Sequence, residues 1–162
     1  MTKIIKLKTG SPFEDQASYS RLVVVDNWIY VSNTAGRNPQ TQVIPEDVIE
    51  QTHQVFANIE SALAAVDSGL GDVISSRVFI QDPNDVPKVM DVIGEKFRGV
   101  DPATTVTCPP LGSTVYKVEL SVSDMDRHYY ETHKLTVAKH PSETDERLMV
   151  RIVAFALNAH ES

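Results

Sequence analysis

Alternating and helical patterns of hydrophobic residues divide residues 1–122 into strands and helices. Runs rich in β-branched and aromatic residues predict six strands, at residues 4–8, 19–25, 28–32, 73–81, 104–108 and 116–122. Apolar residues at helical spacing predict one helix over residues 46–66 and a second that Asn84 or Asp85 caps. The order β-β-β-α-β-α-β-β is typical of an α+β fold, a two-layer sandwich in which two helices cover one face of a six-stranded mixed sheet.

The same patterns predict which faces are buried. The first helix has an apolar stripe of Val48, Thr52, Val55, Phe56, Ile59, Ala62, Leu63 and Val66. The second has a stripe of Val86, Val89, Met90, Ile93 and Phe97. In the last strand, alternation places Tyr116, Val118 and Leu120 on one side and Lys117, Glu119 and Ser121 on the other.

The character of the chain changes after residue 122. Residues 124–133 are polar and aromatic, and Ser142 followed by Asp145 predicts the start of a helix over residues 143–159. That helix contains LMVRIVAFAL, which is apolar on nearly every side and therefore has to be buried. We expect a domain at residues 1–122 and a C-terminal helical extension at residues 123–162, packed on the domain or on another subunit.

Composition and charge narrow the classes of function. With 41% hydrophobic and 23% charged residues, the chain has an ordinary globular composition, and a net charge of -7 disfavours a nucleic-acid partner. Its one cysteine, Cys108, cannot form an internal disulfide. The N-terminus lacks the apolar region of a signal peptide, and no apolar run approaches the ~20 residues of a spanning helix. These features predict a cytoplasmic protein without a membrane.

Metal and cofactor motifs are missing from the sequence. His128, His133 and His140 lie near acidic residues, but their spacing matches no compact metal site, and loop or cap roles are expected for them. CxxC, HExxH, GxSxG and Gly-rich phosphate loops do not occur. The sequence therefore predicts neither a metal nor a cofactor.

Five segments carry a resemblance to a known family. They are GSPFEDQASYSR, DNWIYVSNTAG, EQTHQVFANIESALAAV, SSRVFIQD and DPATTVTCPPLGSTVYKVELSV. With them, residues 3–122 resemble the YjgF/Rid family of reactive intermediate deaminases, whose members are also called endoribonuclease L-PSP-like. The resemblance implies a chorismate-mutase-like fold and a homotrimer with ligand pockets in the clefts between subunits. It also implies cofactor-independent hydrolysis of enamines and imines, the activity of the best-studied branch.

One residue of the deaminase branch is replaced here. That branch holds the substrate carboxylate with the Arg of a Pro-Ala-Arg triplet and moves a proton with a Glu fifteen residues later. This chain has Pro102-Ala103-Thr104, whereas Glu119 stands at the expected spacing. Losing a charge-assisted bidentate contact costs on the order of 2–5 kcal/mol. We therefore expect an Arg-less branch with weak activity on 2-imino acids.

The resemblance assigns further candidate residues. Tyr19 matches the family's pocket tyrosine and, with Glu119, is a candidate catalytic residue. The candidate substrate-binding residues are Thr104, Ser32, Asn33, Cys108 and Arg21. Ser32 matches a pocket serine, and Asn33 stands where the deaminases commonly have Gly.

Simpler interpretations remain open for three of these residues. Glu119 could belong to a surface ladder with Lys117. Cys108 shares a strand face with Thr104, but a buried, inert cysteine is the favoured interpretation. Arg21 could supply a relocated cation or be a solvated strand residue.

A second resemblance begins inside the last strand. Residues 113–162, with STVYKVELSVSDMDRHYY, LTVAKHPSETDERLMVR and IVAFALNAH, are similar to the N-terminal part of the YaeQ family. YaeQ proteins are similar in fold to restriction-endonuclease-like proteins, but the acidic-Lys cluster of such a site lies beyond this segment. No nuclease chemistry is expected from it.

The sequence leaves three functions open. The first is binding of a small metabolite with weak enamine or imine hydrolysis. The second is a non-catalytic ligand-binding or interaction protein, and the third, disfavoured by the acidic charge, is an endoribonuclease-type activity.

Overall fold

Six strands form one sheet, as predicted from the sequence. A computed structural model describes residues 2–125 of the chain. The helix predicted at residues 143–159, the histidines at 128, 133 and 140, and most of the YaeQ-like segment lie outside the described residues.

The sheet is mixed, with a single parallel pair. Its strands are β1 (Ile4–Leu7), β2 (Leu22–Val25), β3 (Trp28–Ala35), β4 (Val73–Ile80), β5 (Ala103–Thr107) and β6 (Val118–Met125). Their order is β1-β2-β3-β6-β4-β5, and only β4 and β5 are parallel. Asp26 adopts a φ of 52° in the two-residue turn between β2 and β3, a left-handed conformation that short hairpin turns favour. Strand β6 runs on to Met125, three residues beyond its predicted end.

Three α-helices lie within residues 2–125, one more than predicted. They are α1 (Pro12–Gln16), α2 (Val48–Ala64) and α3 (Val86–Lys96). Asp47 caps α2 by accepting hydrogen bonds from the backbone N–H groups of Ile49 and Glu50, and the Glu50 N–H lowers the pKa of the Asp47 carboxyl. Asp85 is the N-cap residue of α3 but makes no side-chain capping bond. None of these helices combines the length and hydropathy that a membrane-spanning segment requires.

The core lies between the sheet and α2 and α3. Helix α2 packs against β3, β6 and α3, and the rings of Phe56 and Phe97 meet edge to face at 5.3 Å. In β6, every second residue from Val118 is buried, which is the alternation predicted from the sequence. The opposite sheet face, which carries Glu119, is covered by neither helix.

Gln51 joins α2 to the start of β6. Its fully buried amide donates to the carbonyls of Pro45 and Val115 and accepts from the N–H of Lys117 at 2.6 Å. These bonds satisfy buried backbone groups that would otherwise lose their partners. They also fix the strand two residues before Glu119.

Gly36 allows this junction to close. A Cβ at Gly36 would lie 2.5 Å from both the Cγ and the backbone oxygen of Gln51. We expect Gly36→Ala to lower the free energy of unfolding by about 1–3 kcal/mol, because the helix backbone cannot yield to the added methyl group. Equilibrium urea unfolding measures the change.

Gly94 provides the matched control for this substitution. It lies in α3, and a Cβ there would meet nothing within 4 Å. Gly94→Ala should stabilise the protein by about 0.5–1 kcal/mol, since a helix interior favours Ala. Equal effects of the two substitutions would contradict the steric explanation.

Candidate functional site

Glu119 lies in the middle of the sheet on the face away from the helices. It is paired with Ala35 of β3 and Phe79 of β4. Its carboxyl group is half-buried, and burial raises its pKa. A carboxyl with a raised pKa keeps its proton at higher pH and can donate it to a substrate.

A β-bulge in β3 brings Asn33 to this carboxyl. The pairing with β6 shifts between Val31 and Thr34, so β3 carries one extra residue there. Asn33 thereby shares the face of Glu119, and its side-chain N–H donates to a Glu119 oxygen. This contact fixes the orientation of the carboxyl group. Lys117 donates instead to the backbone carbonyl of Glu46, and no ion pair joins it to Glu119 within residues 2–125.

Arg21 supports the bulge through two hydrogen bonds. Its guanidinium donates to the Asn33 carbonyl at 3.2 Å and to the Thr34 hydroxyl at 3.3 Å. Its Nε lies 3.3 Å from the carboxylate of Glu14, whose side chain is fully buried. Glu14 also accepts from the N–H and the hydroxyl of Thr9, at 2.7 and 2.9 Å. Arg21 is thus an ion-paired residue that supports the bulge, and the alternative of a solvated strand arginine is wrong.

Tyr19 and Ser32 complete the arrangement. The Tyr19 ring lies 5.8 Å from the Arg21 guanidinium carbon. The Ser32 hydroxyl donates to the Ser20 carbonyl at 2.7 Å, which holds β3 to the segment before β2. The structure therefore connects five of the seven predicted site residues through neighbouring contacts; we call them the Glu119 cluster: Tyr19, Arg21, Ser32, Asn33 and Glu119.

Thr104 and Cys108 lie apart from this cluster. Thr104 pairs with Ser76, and their hydroxyl oxygens are 2.7 Å apart on the side of the sheet that faces the helices. Glu119 pairs with Phe79 on the other side, so Thr104 and Glu119 occupy opposite sheet faces within one chain. Cys108 is exposed, and the expectation of a buried cysteine is wrong.

Glu14, which supports the Glu119 cluster through its ion pair with Arg21, was not predicted from the sequence. The sequence patterns predict no helix between the strands at residues 4–8 and 19–25, but Pro12–Gln16 form α1. Ser11 followed by Pro12 and Glu14 matches the S-x-x-E helix-start pattern with Pro at the first position, a signal that could have found it. Glu14 also pairs with the charge of Arg21, whose role as a relocated cation for a substrate stays a prediction.

Two depressions in the described part of the chain have no member of the Glu119 cluster in their lining. One, of about 360 Å³, is on the uncovered sheet face and reaches Ser121 and Arg77. The other, of about 410 Å³, lies between the loop that precedes α2 and the segment that precedes β6. Within residues 2–125, no three His, Cys, Asp or Glu side chains are arranged to hold a metal ion.

The raised pKa of Glu119 predicts a pH-dependent stability. The folded protein binds the Glu119 proton more tightly than the unfolded chain does, so stability falls as the pH rises from the ordinary glutamate pKa, about 4.3, through the raised one. A glutamine at position 119 does not ionise, so Glu119→Gln removes the free-energy cost of burying the charged carboxylate. Its amide oxygen can still accept a hydrogen bond from Asn33. We expect the variant to melt at a higher temperature than wild type at neutral pH, with the difference vanishing below about pH 4. A constant difference across pH would contradict the prediction.

Two models of known protein families match the chain. The family model described as "Endoribonuclease L-PSP" matches residues 9–124, and the model described as "YaeQ protein" matches residues 110–162. The second match lies mostly outside the described residues.

Individual relatives share about a third of the aligned residues. The Drosophila melanogaster RutC family protein UK114 is 33% identical over 106 residues, 64% of this chain and 77% of the relative. A Mus musculus 2-iminobutanoate/2-iminopropanoate deaminase is 33% identical over 101 residues, 60% of this chain and 75% of the relative. The crystal structure of a Mycobacterium tuberculosis member of the YjgF/YER057c/UK114 family superposes with a TM-score of 0.69 at 25% identity, covering 76% of this chain and 99% of the other.

Proposed function

Because the chain belongs to the endoribonuclease L-PSP family, in which some relatives are named 2-iminobutanoate/2-iminopropanoate deaminases, we propose that it binds a small metabolite and hydrolyses imines or enamines weakly. The observation that carries this proposal is Glu119, a half-buried carboxyl with a raised pKa that Asn33 holds in place. Acid-base chemistry at such a group needs no metal or cofactor.

The reaction needs one group that both gives and takes a proton. Neutral Glu119 protonates the enamine carbon and forms an iminium ion. The resulting carboxylate takes a proton from the water that attacks the iminium carbon, and a carbinolamine forms. Glu119 then protonates the nitrogen, ammonia leaves as the C–N bond breaks, and the hydroxyl proton returns to Glu119, leaving a ketone.

Asn33 and Arg21 have positioning roles in this proposal. Asn33 orients the carboxyl group of Glu119, and Arg21 supports the bulge that presents Asn33. Tyr19, beside Arg21, supplies a wall and a hydroxyl group for the substrate. Thr104 is uncharged, so the carboxylate clamp of the deaminase branch is absent at its position.

We further propose that the working form is a homotrimer with its sites in the clefts between subunits. Strand β5 supports this, since all five of its residues are exposed in a single chain and one of its edges pairs with no strand of the described sheet. The placement of Thr104 and Glu119 on opposite faces also supports it. These two positions can serve one site only when they come from different chains.

Turnover of 2-aminoacrylate tests the proposed function. Keto-acid formation should exceed the uncatalysed rate but remain well below that of a relative with Arg at the position of Thr104. Binding of the keto-acid product without any turnover would identify a non-catalytic ligand-binding protein instead. A rate equal to that of the Arg-containing relative would contradict the claim that Thr104 disables the clamp.

An RNA-cleaving activity, which the family description names, has less support. A net charge of -7 gives no general attraction to a phosphate backbone. RNA binding that falls steeply with salt would favour it.

A further inference from the structure

Arg77 lines a depression together with several hydroxyl-bearing residues, on the sheet face that carries Glu119. Arg77, in β4, is paired with Ser121 of β6 and Thr105 of β5. It lines the depression of about 360 Å³, whose other polar lining residues are Tyr30, Ser75, Ser121 and Ser123. Each of these side chains can donate a hydrogen bond, and none carries a negative charge.

The charge of Arg77 has no carboxylate partner within the described part of the chain. The side chain is exposed, and the ion pairs among residues 2–125 involve Lys8, Arg21, Lys88 and Lys96 but not Arg77. Arg21, a member of the Glu119 cluster, is already neutralised by Glu14. In a chain with a net charge of -7, an arginine that makes no ion pair among the described residues and lines a depression with several hydroxyl groups is arranged to attract an anion.

We propose that Arg77 and the hydroxyls of Ser75, Ser121 and Ser123 form a carboxylate-binding subsite that replaces the missing arginine at position 104. The guanidinium fork matches the two oxygens of a carboxylate, and the serines can donate to the same oxygens. A single positive charge suits a monoanion better than a phosphate dianion. As a substrate subsite, it rests on the proposed function.

The position of this subsite indicates the class of substrate. Glu119 is two residues from Ser121 in β6, so it is a diagonal neighbour of Arg77, and such neighbours are about 7–8 Å apart. The depression extends from Ser121 towards Ser123, away from Glu119. A carboxylate bound there lies several bonds from the carbon that Glu119 protonates. The subsite therefore favours imines and enamines with a distal carboxylate over 2-imino acids, whose carboxylate adjoins the reacting carbon.

Titration calorimetry on the full chain tests the subsite with stable ketone products. The probes are 5-oxohexanoate with a distal carboxylate, 2-oxobutanoate with an adjacent one, neutral 2-hexanone, and inorganic phosphate. Wild type should bind 5-oxohexanoate most tightly. Arg77→Gln should weaken that binding by about 10- to 100-fold, the equivalent of a lost hydrogen bond to a charged group.

Matched variants separate recognition from net charge. Arg98→Gln changes the charge equally at an exposed position after α3 and should leave binding unchanged. Arg77→Lys should recover only part of the loss, because an ammonium cannot form the bidentate contact. Light scattering on each variant checks that assembly is the same as in wild type.

The outcomes distinguish this inference from the proposed function. Arg77-dependent binding of 5-oxohexanoate without imine turnover would support the subsite and overturn the hydrolase. Turnover that Arg77→Gln leaves unchanged would support the hydrolase and overturn the subsite. Binding of phosphate or 2-oxobutanoate as tight as that of 5-oxohexanoate would also overturn the distal-carboxylate assignment.

Discussion

Replacing Glu119 by Gln is expected to lower kcat/KM for imine and enamine hydrolysis by about 10²- to 10⁴-fold, the contribution of a positioned acid-base group. Gln has nearly the same shape and can accept the Asn33 hydrogen bond, so the site keeps its geometry while losing its proton. Because the same variant should be more stable than wild type at neutral pH, unfolding would not explain the loss. Steady-state kinetics on 2-aminoacrylate measure the effect.

The pH dependence gives this prediction a second readout. The first step needs neutral Glu119, whose fraction falls as the pH rises through its raised pKa. Wild-type kcat/KM should therefore decrease with rising pH over that range, whereas the residual rate of Glu119→Gln should lack this decrease. Glu95→Gln, at an exposed position in α3, is the matched control and should resemble wild type. Unchanged turnover in Glu119→Gln would exclude Glu119 as the proton-transfer group.

Alternation within strands is what made Glu119 predictable. Side chains in a strand point to opposite faces in turn, and the apolar members of β6 had to face the helices. That requirement places Glu119 on the uncovered face from sequence alone. The helical stripes of α2 and α3 were predictable for the same reason, since burial of a continuous apolar face fixes the orientation of a helix.

The residues that hold Glu119 in place were harder to predict from the sequence. The bulge that turns Asn33 towards Glu119 depends on how β3 pairs with β6, and pairing is a tertiary property that a period-two pattern does not encode. Glu14 was missed because a five-residue helix is too short to show an apolar period. Arg21 pairs with its carboxylate and Thr9 donates hydrogen bonds to it, so this charged residue can be buried.

Thr104 shows a further limit of the sequence pattern. Its spacing from Glu119 matched the family motif, which suggested two neighbouring groups in one pocket. Which face Thr104 shares depends on the register of β5 against β4, and that register puts it beside Ser76. The spacing therefore holds in sequence, whereas the two side chains lie on opposite faces of the sheet within one chain.

Thr104→Arg is expected to raise kcat/KM for 2-iminobutanoate by about 30-fold or more, the equivalent of at least ~2 kcal/mol for a restored charge-assisted clamp. Thr104 is exposed on an edge strand, so the longer side chain can be accommodated without burying its charge. Thr105→Arg is the matched control, since its side chain lies on the opposite face, beside Arg77. It should give no gain with this substrate. Equal gains from both variants would show that added charge, and not the position, is responsible.

Mixing chains tests whether the restored site spans two subunits. The double variant Thr104→Arg/Glu119→Gln has the arginine without the acid, and wild type has the acid without the arginine. If the clamp and the acid come from different chains, co-expressed hybrids isolated by two tags should turn over 2-iminobutanoate faster than the sum of their parents. Hybrids no faster than that sum, in a protein where Thr104→Arg alone is activating, would place the site within one chain. Since Thr104 and Glu119 lie on opposite faces of the sheet, we expect the hybrids to be active.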